Sequence, residues 1–151
     1  MQTKKNLRKR PIQQSLKNNK KIYKDSVYYF LQMLNTIKIY HWKTTDYSTH
    51  KATDELYSEL NDKVDEFVEV MLGKSDVVGK NRSLFLNIKY LSLNSFNNNN
   101  DLKKEIEKYK SFLISFSNNA QMKHQNNSDL LALRDEILAL LNKFLYLITL
   151  H

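Results

Sequence analysis

Two glycines and one proline are all that punctuate the 151 residues of this chain. Glycine supplies tight turns and proline ends helices and central strands, so a chain this poor in both favours long, uninterrupted elements. A β-sandwich or barrel would need turn residues about every eight to twelve positions. The fold is therefore read as all-α. One domain is the simplest division at this length, and the 41% of apolar residues is enough for a real core. The absence of cysteine leaves neither disulfides nor a zinc ribbon, which fits a reducing compartment. No run of about 18 apolar residues exists, so no membrane association is expected. The basic N-terminus lacks the apolar stretch of a secretory signal.

The charge is unevenly placed. Lys4, Lys5, Arg8, Lys9, Arg10, Lys17, Lys20, Lys21 and Lys24 fall in the first 24 residues, which contain no acid. The remainder holds 15 bases against 16 acids. The chain thus reads as a near-neutral body, residues 25–151, behind a basic and mobile arm, residues 1–24. A one-signed terminal cluster suits an electrostatic hold on phosphates, hence non-specific DNA binding through Lys4, Lys5, Arg8, Lys9, Arg10, Lys17, Lys20 and Lys21. The plainer reading is a solubilising tail.

Apolar residues recur at spacings of three and four in four stretches. The first helix is expected from a cap at Asp25 to Lys43, with Phe30, Leu34, Ile37 and His41 on one face and Val27 and Leu31 widening it. TTDYST is a turn. Ser48 or Thr49 should cap a second helix that carries Leu56, Leu60, Val64, Phe67 and Met71 and stops at Gly73. Residues 74–100 read as a short helix or an extended connection, ending in an asparagine loop. Asp101 should cap a third helix with Leu102, Ile106, Tyr109, Leu113, Phe116 and Ala120. HQNNSD is a further turn, with Ser128 or Asp129 capping a last helix of Leu130, Leu133, Ile137, Leu141, Phe144 and Ile148. That last helix has a broad leucine-rich surface (Leu131, Leu138 and Leu145 as well), so it should touch more than one neighbour. The expected architecture is a four-helix bundle with a long crossover between the second and third helices.

The second helix carries a polar constellation. His50 and Asp54 are four apart, as are Asp65 and Glu69, and Asp54 and Asp65 are separated by nearly three whole turns. All four fall within about a 100° sector, centred about 130° from the apolar stripe. They sit on a flank, and about 16 Å of helix rise separates the two pairs. No single ion can touch both pairs of one chain. Two antiparallel copies across a two-fold axis would bring the His50/Asp54 end of each against the Asp65/Glu69 end of the other. His41, ending the preceding helix, could reach the first pair. Two imidazoles and three carboxylates suit iron, manganese or zinc. The plain alternative is a solvated acidic face. His124 and His151 have no acid at ligand spacing and are read as surface residues. There is no phosphate-binding glycine loop, no His-Glu-x-x-His, and no Glu-x-x-His of the kind that builds a di-iron site inside a bundle.

HW, a short loop, H-x3-D-E-L-Y-x-E-L and then D-x3-E together resemble the miniferritins, the DNA-binding proteins from starved cells (Dps). The resemblance covers about residues 25–72. It implies a ferritin-like bundle whose ferroxidase centre is formed by His41, His50 and Asp54 of one subunit with Asp65 and Glu69 of a two-fold-related subunit. It further implies oxidation of ferrous iron by peroxide or oxygen, homo-oligomers from a dimer up to a twelve-subunit shell, and DNA as a partner. The location would be cytoplasmic or nucleoid-associated. Trp42 is read as a core residue, with acceptance of a stray oxidising equivalent as its alternative role. The sequence is also similar to small ferritin-like proteins of large DNA viruses and phages. A non-enzymatic helical protein that packages DNA, or a structural component of a virion, is accordingly the rival function.

Overall fold

The computed structural model describes residues 9–74, 82–119, 122–123 and 125–150. Helix α1 spans Lys9–Lys43, α2 Tyr47–Gly73, the short α3 Arg82–Phe85, α4 Asn99–Asn118 and α5 Ser128–Leu147, which follows a 3₁₀ turn at Gln125–Asn127. Four helices are long, and there is no strand among the described residues. None of these helices is long and apolar enough to cross a membrane. Lys4, Lys5, Arg8, Ala120, His124 and His151 lie outside the described residues.

The three-four periodicity becomes a single core. Phe30, Leu34 and Ile37 of α1, Leu56, Leu60, Val64, Phe67 and Met71 of α2, Leu102, Ile106, Tyr109, Leu113 and Phe116 of α4, and Leu130, Leu133, Ile137, Leu141 and Phe144 of α5 are all buried. Burying each such side chain contributes about 1.5–3 kcal/mol of transfer free energy. At the centre, Phe67 meets Phe30 and Phe116 edge-on, with ring centroids 5.0 and 5.7 Å apart. Helix α2 packs on α1 and α5, and α4 packs on the same two. Leu31 stands at the rim, 37% exposed, because the packed face of α1 is narrower than its apolar stripe.

Several helix ends differ from expectation. Helix α1 starts at Lys9, well ahead of Asp25. Residues 12–24 contain no glycine and many lysines and glutamines, and Pro11 falls in the first turn, where its missing N–H is not needed. Helix α2 is capped by Asp46, whose carboxylate accepts from Thr49 N–H at 2.7 Å, and not by Ser48 or Thr49. A carboxylate satisfies that orphan donor and also the positive helix end. Gly73 stays within α2, which ends at Lys74 in extended backbone, so no left-handed glycine cap forms. Helix α4 is capped by Asn98 and not Asp101. The Asn98 side chain accepts from Asp101 N–H and donates to the Asp101 carboxylate, both at 2.9 Å. This reciprocal pair draws Asn99 and Asn100 into the helix. Helix α5 begins at Ser128 after Asn127, so Ser128 and Asp129 lie inside it.

Beyond α3, residues 87–96 form neither helix nor strand. Gln32 donates to the Ser92 carbonyl at 2.7 Å, the Ser92 N–H donates to the Tyr28 hydroxyl at 3.2 Å, and Lys43 donates to Ser95 and Asn97. Asn94 donates to the buried Glu105 carboxylate at 2.8 Å, which also pairs with Lys108. These bonds hold the segment along α1 and against α4.

Candidate metal centre

His41 ends the inward stripe of α1 and is buried, 7% exposed. His50 lies in the first turn of α2, half-buried. The turn between them, closed by the Asp46 cap and by Ser48 Oγ donating to Asp46 at 2.6 Å, brings the two rings into a stack with centroids 4.0 Å apart and planes 25° from parallel. Asn99 at the start of α4 secures this turn from the far side: its amide donates to Thr49 Oγ1 at 3.1 Å, and Tyr40 donates to its carbonyl at 2.6 Å.

The hydrogen bonds of the two imidazoles are reciprocal. His41 Nδ1 lies 3.1 Å from the His50 carbonyl, and His50 Nδ1 lies 3.1 Å from the His41 carbonyl. A carbonyl only accepts, so both Nδ1 atoms carry a proton, and in the neutral form of each ring Nε2 presents the lone pair. Thr53, fully buried, also accepts from His41 Nδ1 at 3.2 Å while its hydroxyl donates to backbone carbonyls of α2. Metal-binding histidines are oriented by such outer carbonyl partners. Asp46, Thr53 and Asn99 are supporting residues that spacing did not reveal. Asx and Thr residues next to a turn are common, and only the turn's closure shows what they do.

Asp54 is exposed, its Oδ1 3.8 Å from His41 Nε2. That is too long for a hydrogen bond, but one ion with bonds of about 2.1 Å to each atom spans it. The structure thus places His41 beside His50 on one side and Asp54 on the other. It does not bring Asp65 and Glu69 to them, since these lie farther along α2, both exposed. No three His, Cys, Asp or Glu groups within one chain gather to hold an ion among the described residues. The acids on the opposite flank are engaged: Lys143 bridges Glu55 and Glu59, and Lys63 pairs with Glu66 and Glu136. Asp65 and Glu69 have no cationic partner among the described residues.

Trp42 is not a core residue. It is 70% exposed, because it follows His41 by one position and so points about 100° away from the inward stripe. The Lys38 ammonium lies over both the Trp42 and Tyr57 rings, at 5.8 and 4.7 Å, which places all three on the outer α1–α2 groove. Tyr47, 72% exposed, opens α2. Of the basic residues, Lys9, Arg10, Lys17, Lys20 and Lys21 belong to α1, and Lys21 is exposed.

The model of a family of unknown function, DUF5856, matches residues 41–148. All five candidate ligands fall inside that span and the basic stretch falls outside it. No curated protein and no solved structure matches the chain.

Proposed function

We infer the activity from the site itself, because the chain belongs to DUF5856, a family of unknown function. The reading is a Dps-like ferritin that binds ferrous iron and oxidises it at a centre shared by two chains. The observation that carries it is the reciprocal pair of His41 and His50. Each ring is locked by the other's carbonyl, which leaves two lone pairs aimed away from the protein's own hydrogen bonds. Asp54 adds a carboxylate beside them. Asp65 and Glu69 complete the donor set from a second copy, with two α2 helices antiparallel across a two-fold axis. The surface through which the copies meet carries exposed Trp42 and Tyr47 with half-buried Tyr57, Val68 and Leu72, an apolar set around a polar cluster that a second copy would cover.

Stacked rings keep their in-plane lone pairs in separate, roughly parallel planes, so the pair suits two ions, one per ring, better than one chelated ion. Iron is the substrate. Two ferrous ions each give up one electron, and one peroxide takes both with two protons to leave two waters. The carboxylates favour the more highly charged ferric product, and the carbonyl-held imidazoles keep the geometry. Manganese and zinc fit the same donors and would compete.

The packing of α2 and α4 on α1 and α5, with α3 and the irregular residues 87–96 lying in sequence between α2 and α4, supports a ferritin-like crossover. The oligomer is proposed to range from this dimer to a twelve-subunit shell. The basic stretch at the start of α1 would bind DNA without sequence preference, in the cytoplasm or on the nucleoid. In the direct test, ferrous oxidation by purified protein is compared with that of a His50→Ala, Asp54→Ala variant. A rate at least about tenfold lower in the variant is expected, and equal rates would refute the reading.

A further inference from the structure

On the far side of α1 from the candidate metal centre, an open groove of about 350 Å³ lies between the helix and the segment that follows α3. That volume falls within the roughly 300–1,000 Å³ of small-ligand sites. Its walls carry Lys24 and Lys89, Tyr28 and Tyr90, and Asp25 and Asn87. Tyr90 is 86% exposed. A lone exposed tyrosine is ordinary, but this one stands next to a lysine on the wall of a cleft. The cleft is built and not incidental. Tyr28 is fixed by the Ser92 N–H, Gln32 ties down the same residue through its carbonyl, and a turn from Ile88 N–H to the Leu86 carbonyl at 2.9 Å shapes the approach to Tyr90.

The basic stretch leads into it. Along continuous α1, Lys21 and Lys24 precede Tyr28 by seven and four positions, which places all three in one sector of the helix. A row of cations that ends at aromatic faces is the arrangement that tracks an unpaired backbone and stacks its bases. A duplex hides its base faces and could use only the lysines. We propose that this cleft seats a nucleotide of a single-stranded nucleic acid. Tyr90 stacks on the base, Lys24 and Lys89 hold the flanking phosphates, and Asp25 and Asn87 meet the polar base edge. The inference rests on the polyanion reading of the basic stretch and is independent of the metal centre.

The experiment measures full-length protein binding to a labelled oligothymidylate and to a labelled duplex of equal length. Tyr90→Ala should weaken single-strand binding about tenfold, as loss of one stacked base does, and leave duplex binding unchanged. Lys24→Gln with Lys89→Gln should reduce the single-strand salt slope by about 0.7 per lysine. Tyr146→Ala, which removes another exposed tyrosine, should change neither affinity. Tyr90→Ala with unaltered single-strand binding, or with equal losses on both probes, would overturn the cleft. Arg10→Gln with Lys17→Gln reports separately on the basic stretch. If that pair changes neither affinity while Tyr90→Ala still acts, the polyanion reading falls and the cleft stands.

Discussion

At the residue scale, buried polar groups set the pH behaviour. The Tyr109 hydroxyl donates to Thr36 at 3.1 Å inside the core, and burial pushes its pKa well above the ordinary phenol value, with the nearby Glu105 charge pushing the same way. The unfolded phenol ionises near pH 10 or so. A folded pKa above that means the stabilisation is fully present below about pH 10 and is lost as pH climbs towards the folded value. Tyr23 and Tyr40 are raised as well, chiefly by burial. Urea titrations should therefore show stability falling above about pH 10, with a shallower fall in Tyr109→Phe. That variant should also lose about 0.5–1.5 kcal/mol at neutral pH for want of the Thr36 bond. An equally steep alkaline fall in the variant would count against the assignment. Trp42 shows where residue-level reading fails. It is read from sequence as a core residue, but adjacent helix positions point in different directions, and of His41 and Trp42 only His41 faces inward.

At the element scale, the stripes of α2, α4 and α5 were legible because each core position repeats at helical spacing, and burial follows from that repeat. Helix ends were not legible to the same degree. Asp46, Ser48 and Thr49 are all competent caps, and the choice depends on where the chain leaves α1. Asp101 looked like a cap for the same reason, while Asn98 does the work from three residues earlier. The start of α1 was missed because a run of lysines looks like a solvated tail, although lysine and glutamine are good helix formers. The caps bear on the site. Asp46 closes the turn that stacks His41 on His50, so Asp46→Ala should cost about 1 kcal/mol of stability. It should also weaken metal binding, because the turn no longer presses the rings together. Calorimetry of the variant with manganese would measure both effects. Undiminished affinity in a destabilised protein would separate the cap from the site.

At the scale of the whole molecule, the proposed centre is divided between two chains. Of the proposed site, the placement of His50, Asp54, Asp65 and Glu69 on one flank of α2 was legible from spacing alone. The mutual locking of His41 and His50 was not, because it depends on backbone carbonyls that carry no sequence signature. The single tryptophan offers a simple check on assembly: Trp42 is exposed in one chain and would be covered by a second. Its emission should move to shorter wavelength as concentration carries the protein from monomer to dimer, and an unmoved spectrum in a sample of doubled mass would place the interface elsewhere. The central claim is that the two halves come from different chains, and mixing tests it. A His50→Ala, Asp54→Ala chain and an Asp65→Ala, Glu69→Ala chain, each inactive alone, are unfolded together, refolded and assayed for ferrous oxidation. A shared site predicts that half the dimers are mixed and that each mixed dimer regains one of two centres, hence about a quarter of the wild-type rate. A mixture as inactive as its parents would contradict the claim.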